Sequence, residues 1–295
     1  MKKLLFIMNP NAGTRKANRY LSDILGIFNQ AGYTVTVHMT AGPGDCTRII
    51  QRLAPEMDVV ACCGGDGTFH EAINGLLRSG ADIPIGYIPA GTTNDFATSL
   101  HIPTNPLEAA KVIAEGMPRR YDVGRFGETY FCYVASFGAF TKASYATPQN
   151  IKNALGHGAY ILGGIQELSQ LRSAHLRLEL DDTVIEDDFI FGAVSNSTSV
   201  GGVLTLDPKV VDMNDGKLEL LLIRTPRDLA ELSECILALQ NPHRGCSNIT
   251  FRSAQKIRVT GGEALVWSLD GERAQGQSEV LIRNIHNAIS LLRKG

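Results

Sequence analysis

Cys62-Cys63-Gly64-Gly65-Asp66-Gly67-Thr68-Phe69-His70-Glu71 decides how this chain is read. The run before it, Val59 to Cys63, is short and apolar, as a buried strand is. After it, Ala72, Ile73, Leu76 and Leu77 fall at helical spacing. A strand that ends in glycines and turns into a helix aims several backbone N–H groups at one spot. The helix N-terminus adds partial positive charge there, which suits an anion such as phosphate. The glycines allow positive φ and close approach of a ligand to the backbone. Asp66 is out of keeping with a phosphate cradle unless a cation lies between, so the stretch reads as a nucleotide site with Asp66 beside Mg²⁺. A glycine-rich turn with a capping Asp accounts for the same residues on structural grounds alone.

A second stretch, Pro89-Ala90-Gly91-Thr92-Thr93-Asn94-Asp95-Phe96-Ala97, follows another apolar run, Ile83 to Ile88. It repeats the glycine turn, the hydroxyls and the carboxylate at a helix start. Neighbouring strand-ends in a parallel sheet would set Asp66 and Asp95 across one crevice. Together with Asn9-Pro10-Asn11-Ala12-Gly13 and the late Asp270-Gly271-Glu272, these motifs resemble the catalytic domain of the diacylglycerol kinase/sphingosine kinase superfamily, in its bacterial soluble branch. The Gly-Gly-Asp-Gly-Thr core is shared with NAD kinases; the added Asn-Asp-Phe-Ala makes the match specific, and the resemblance spans nearly the whole chain.

The 295 residues suffice for one large or two modest domains. Apolar content of 44% and charged content of 20% are those of an ordinary folded domain. A net charge of −2 argues against a nucleic-acid binder. Six cysteines without a CxxC pair read as reduced thiols, hence a cytoplasmic protein. The apolar start, Leu4 to Met8, is cut off by Asn9-Pro10 and reads as a first strand and not a signal peptide. No stretch reaches the roughly 18 apolar residues of a membrane span. An enzyme with a lipid substrate must then visit the membrane surface transiently. The sequence is silent on oligomeric state, and a homodimer is compatible with it.

Strand and helix patterns alternate from Leu4 to Val123, which predicts a parallel sheet with helices on both faces and ligands beyond the strands' carboxyl ends. Beyond about residue 124 most segments read as strands: 130–137, 175–180, 183–187, 189–195, 217–224, 256–260, 265–269 and 279–284. Helices are expected over 151–171 and 228–239. The fold class is thus an α/β N-terminal domain plus a mostly antiparallel β-sandwich; the resemblance adds that the first is NAD kinase- and phosphofructokinase-like. The expected division is 1–123, joined by 285–295 if the last segment returns, and 124–284.

The resemblance implies a nucleotide site made by Asn9, Pro10, Asn11, Ala12, Gly13, Thr40, Gly64, Gly65, Asp66, Gly67, Thr68, Glu71, Thr92, Asn94 and Asp95. Arg15 or Lys16 could meet phosphate. Asp66 and Asp95 form the catalytic Mg²⁺ environment, with Asp122 as an outer partner. The alternatives on residues alone are a helix-dipole role for Glu71 and a plain N-cap for Asp95. His70 reads as a helix-surface residue. Asp270-Gly271 is a strong hairpin-turn signal, but the family places its proton acceptor in Asp270-Gly271-Glu272, either Glu272 or Asp270. Asp212, Asp215 and the Lys217 carbonyl resemble the family's structural Mg²⁺ loop; a solvated acidic turn is the alternative. Ser195 to Val203 is a weak candidate for the acceptor pocket. One departure is Thr98, where the family often carries Arg. The expected activity is transfer of the ATP γ-phosphate to a primary hydroxyl of a membrane lipid, with diacylglycerol the leading acceptor. An NAD kinase-like phosphotransferase and a non-catalytic nucleotide-responsive lipid-binding protein are the rivals.

Overall fold

Leu4 to Met8 and Val59 to Gly64 are buried without a break, which is possible only for strands covered on both faces. The computed structural model describes residues 1–13, 16–138, 173–197, 199–200, 204–205, 212–240 and 245–294. In it β1 (Lys2–Met8) lies between β2 (Tyr33–Met39) and β3 (Val59–Gly64), and β4 (Ile85–Pro89) lies beyond β3, all paired in parallel. Their helices cover both sides. α1 (Leu21–Gln30) packs with Phe6, Met8 and Ile113 on one face. On the other, α2 (Asp45–Leu53) and α3 (Asp66–Ser79) pack with Leu5, Ile7 and Cys62. α4 (Asp95–Ser99) is short, and α5 (Pro106–Glu115) starts on Asn105, whose side chain accepts from the N–H groups of Leu107 and Glu108.

β5 (Met117–Phe126) opens the antiparallel part, followed by β6 (Thr129–Phe131), β7 (Val134–Gly138), β8 (Ala174–Leu180) and β9 (Thr183–Ser195). β10 (Ser199–Val200) and β11 (Leu204–Thr205) form a separate small pair. Next come β12 (Leu218–Arg224), α6 (Leu229–Gln240), β13 (Ile249–Ala254), β14 (Lys256–Leu269) and β15 (Glu272–Arg293). Among the described residues β1 to β9 and β12 to β15 share one sheet, whose main path is β13-β12-β9-β7-β14-β15-β4-β3-β1-β2. The antiparallel strands close around Trp267, which meets Phe126 and Phe137 edge-on at 5.1 and 4.8 Å.

Several expectations change. The strands expected over 256–260 and 265–269 are one, β14, and β13 is a strand the pattern did not announce. Residues 130–137 are two strands, because the chain breaks at Cys132-Tyr133 to give its N–H groups to a side chain described below. Residues 183–195 are one strand, held on both sides by β8, β7 and β12. The segments 279–284 and 285–292 belong to one 22-residue strand, β15. Its end runs antiparallel to β5 and places Leu291 parallel to Ile85 of β4. The helix expected over 151–171 lies outside the described residues.

Candidate active site

Three glycine turns meet at the carboxyl ends of β1, β3 and β4. Gly13 has φ +49°, and a Cβ there would stand 2.3 Å from the Ala90 carbonyl oxygen. Gly65 and Gly91 touch through their backbones, a Cβ at Gly91 falling 2.6 Å from Gly65 Cα. Only residues without side chains allow so close an approach. Asn9 donates from Nδ2 to Thr68 Oγ1 at 3.0 Å, and its Oδ1 accepts from Asn11 N–H. Pro10 and Ala12 complete that first turn. Thr40 directly follows β2 beside it and donates its N–H to the Met8 carbonyl. Asn94 is left-handed (φ 54°), and its amide closes the second turn on both the N–H and the carbonyl of Gly91. Thr92 is exposed on the same turn.

Aromatic packing locks these turns together. Phe69 stacks on Tyr87 at 4.3 Å and on Phe96 at 4.9 Å, joining α3, β4 and α4. Phe69→Ala is expected to cost roughly 3–5 kcal/mol, seen as a lower midpoint in urea unfolding.

Asp66 opens α3 and Asp95 opens α4. The Asp95 N–H reaches Asp66 Oδ2 at 3.2 Å, so the two residues share one crevice. The other oxygen, Asp66 Oδ1, is buried and has no hydrogen-bond partner. Burial, and then the charge of Asp95, raise the Asp66 pKa to about 6. An orphaned carboxylate oxygen beside a second carboxylate fits a hard cation.

The hairpin between β14 and β15 separates Asp270 from Glu272. Leu269 pairs with Glu272, so Asp270-Gly271 is the two-residue loop, with φ of +49° and +90°. Asp270 is buried and saturated. Its Oδ2 accepts from Cys132 N–H (2.6 Å) and His70 Nδ1 (2.8 Å), its Oδ1 from Tyr133 N–H (3.0 Å) and Val134 N–H (3.1 Å). Glu272 is exposed, and its Oε1 lies over the glycine turn, 2.9 Å from where a Cβ on Gly67 would stand. Asp270 therefore holds the turn, and Glu272 faces the crevice.

Several residues fall elsewhere than the sequence suggests. His70 is not a surface residue: its ring is 11% exposed and buried against Asp270. Burial works against its charge, but the hydrogen bond and charge of Asp270, helped by Glu272 and Glu71, outweigh that and raise its pKa. Glu71 caps the neighbouring helix α2, accepting from the N–H groups of Gly44 (2.7 Å) and Cys46 (3.2 Å). Asp122 does not join Asp66 and Asp95. Its two oxygens accept from Gly216 N–H, Asn284 Nδ2, His286 Nδ1 and Asn287 N–H, groups on β15 and the turn before β12. With both oxygens so occupied, it braces that junction and has no lone pair to offer the crevice. Asp212 and Asp215 are exposed and accept from the N–H groups of Asn214 and Lys217 in their own turn, and the Lys217 carbonyl accepts from Asn284. Among the described residues no three His, Cys, Asp or Glu side chains converge as a metal cluster. Thr98 turns its hydroxyl back to the Asn94 carbonyl. Arg15, and residues 198 and 201–203 of the Ser195 to Val203 stretch, lie outside the described residues.

Glu219 was missed. It is buried in β12 with neither carboxylate oxygen hydrogen-bonded, and burial, with Asp215 next, raises its pKa to about 8. One acid in the run Leu218-Glu219-Leu220-Leu221-Leu222 was the available signal. A raised carboxyl pKa removes stability as pH rises towards it. Glu219→Gln is thus expected to raise the melting temperature of metal-free protein at pH 9 and to change it little at pH 5, by circular dichroism.

The fold and this geometry can be set beside known proteins. The family model described as the diacylglycerol kinase catalytic domain matches residues 3–126. The model for the YegS C-terminal NAD kinase beta sandwich-like domain matches residues 134–293. A diacylglycerol kinase of Bacillus subtilis (strain 168) is 33% identical over 291 residues, 97% of this chain and 96% of the relative. The chain belongs to the diacylglycerol kinase family. A diacylglycerol kinase of Staphylococcus saprophyticus is also 33% identical, over 92% of this chain and 89% of its own. The crystal structure of a putative diacylglycerol kinase from Bacillus anthracis str. Sterne superposes with a TM-score of 0.82 at 25% identity, covering 99% of this chain and 95% of that one. As a member of the diacylglycerol kinase family, the protein is a lipid kinase, a phosphotransferase with an alcohol acceptor. No helix among the described residues is long and apolar enough to cross a membrane.

Proposed function

We propose that this kinase transfers the γ-phosphate of ATP to a primary hydroxyl of a membrane lipid, diacylglycerol first among the acceptors, giving phosphatidic acid. The observation that carries the reading is Glu272, an exposed carboxylate standing over Gly67 in the nucleotide turn while its neighbour Asp270 is fully hydrogen-bonded. Residues 1–123 with 285–295 hold the nucleotide, and residues 124–284 hold the lipid. Gly13, Gly65, Gly67 and Gly91 let the phosphates approach the backbone, whose N–H groups, with the α3 N-terminus, meet their charge. Asp66 and Asp95 are the groups that would hold Mg²⁺, which supplies charge neutralisation at the phosphates when bound. Glu272 accepts the proton of the lipid hydroxyl as its oxygen bonds to the γ-phosphorus and the bond to the β-γ bridging oxygen breaks. Positioning and preorganised dipoles supply the rest of the acceleration. The Asp212–Lys217 turn remains the candidate for a second, structural Mg²⁺.

The test is transfer of labelled γ-phosphate from ATP, with Mg²⁺, into diacylglycerol, sphingosine, ceramide and phosphatidylglycerol in mixed micelles, with NAD as a water-soluble control. Label in diacylglycerol above the other lipids supports the reading. Label in another lipid alone overturns the acceptor, and label in NAD alone overturns the lipid.

A further inference from the structure

His70 is an element of the site that the proposed chemistry does not use. It lies on α3 one helical turn after Asp66, a rise of roughly 6 Å along the same face. Its Nδ1 meets Asp270 Oδ2 at 2.8 Å across 200 residues of sequence. The other three donors to Asp270 are backbone N–H groups of Cys132, Tyr133 and Val134, from the segment joining β6 to β7. His70 alone among them comes from the helix that begins with the candidate metal carboxylate.

The ring's orientation is set from its far side. Asn74 gives its amide to the Tyr130 carbonyl and the His70 carbonyl, and its Oδ1 accepts from Tyr130 N–H. Its Nδ2 also lies 3.3 Å from His70 Nε2, but with both hydrogens given to those carbonyls and no lone pair to accept, it offers no partner to a proton on Nε2. The Asp270 carboxylate only accepts, so the proton of the neutral ring sits on Nδ1, facing it. The charged groups around the ring are Asp270 and Glu272 from the β14–β15 hairpin and Glu71 from α3 itself. All are acidic, so no cationic side chain among them competes with His70 for Asp270.

We infer that His70 is a positioning residue: its Nδ1–H ties the Asp270-Gly271-Glu272 turn to α3 and so fixes the separation between Asp66 and Glu272. The inference rests on the reading of Glu272 as the proton acceptor. A proton acceptor displaced by about 1 Å loses on the order of 100-fold in rate while ground-state nucleotide contacts survive.

The test compares His70→Leu with His70→Asn in the full-length protein. Leucine places a methyl where Nδ1 stood. Asparagine places its Nδ2–H at the same number of bonds from Cβ and can donate to Asp270. His70→Leu is expected to lower kcat about 10- to 100-fold with KM for ATP within about twofold of wild type, and His70→Asn to recover kcat to within about threefold. Wild-type kcat in His70→Leu, a loss confined to KM, or no recovery in a folded His70→Asn overturns the inference. Should His70→Leu fail to fold, nitrogen-15 NMR of the wild-type imidazole decides: Nδ1 must be protonated at neutral pH, and a bare Nδ1 refutes the link. Glu272→Gln separates this from the underlying reading. If Glu272→Gln turns over normally, the reading falls and the inference with it; if it is inactive while His70→Leu behaves as wild type, only the inference falls.

Discussion

Glu272→Gln is expected to lower kcat by roughly 10²–10⁴-fold, the range that general-base catalysis contributes. Its side chain is exposed and forms no described hydrogen bond, so the melting temperature should stay within a degree or two of wild type. KM for ATP should hold, because glutamine over Gly67 keeps the size of the side chain that faces this glycine turn. Asp270→Asn should behave in the opposite sense. It sets an amide NH₂ against backbone N–H donors that a carboxylate now satisfies, leaving buried donors unpaired at about 1–3 kcal/mol each. That variant loses stability first and activity as a consequence. Thermal melts and steady-state kinetics on the two variants check the division of labour, and a Glu272→Gln enzyme with more than a tenth of wild-type kcat would sink it.

Asp66→Asn is expected to abolish phosphoryl transfer and yet to stabilise the metal-free protein. The Asp66 pKa in the folded chain is about 6, against an ordinary 3.8, because burial and Asp95 disfavour its charge. A carboxyl whose pKa is raised by folding leaves stability intact below the ordinary value and removes it as pH climbs through the folded value. Above pH 7 the full cost applies, roughly 3 kcal/mol for a gap of this size. Asparagine carries no charge to bury and can still accept the Asp95 N–H. At pH 8 without Mg²⁺, Asp66→Asn should melt several degrees above wild type; at pH 4 the two should converge. Saturating Mg²⁺ should raise the wild type and leave the variant where it was. Melts at two pH values with and without Mg²⁺ test all of this, and a variant that melts below wild type at pH 8 contradicts it.

What could be read from the sequence was local, and what was missed depends on distant partners. The glycine turns announce themselves because left-handed or crowded backbone demands glycine within a few residues of the strand-end, as at Gly13 and Gly91. The Asp270-Gly271 hairpin is legible for the same reason. His70 looked like a surface residue because its burial comes from Asp270, 200 positions away. The strand expected over 130–137 breaks because Asp270, 137 positions after Tyr133, takes that backbone's N–H groups. Asp122 reads from the sequence as a strand-end residue, but it lies inside β5, where four donors from β15 and the 212–217 turn claim it. Strand β15 was split in the reading because it carries an irregularity between Ile285 and Ile289, with Asn287 left-handed at φ 54°. That bend resembles a turn in sequence and is a bulge in the sheet.

The same long strand bears on the order in which the protein is made. During synthesis the first hundred or so residues leave the ribosome with β1 to β4 ready to pair, but the outer edge of β4 belongs to Leu291, and β5 between Met117 and Tyr121 waits for Ile289 to Arg293. Until those residues emerge, the growing chain carries an open strand edge beside apolar Ile85 and Tyr87, a template for pairing with other chains. A nascent-chain series stalled before and after residue 293 should show protease resistance of the N-terminal half rising only in the longer members. Completion of the N-terminal sheet then waits for residues 289–293, and deletions there act on β4 and β5.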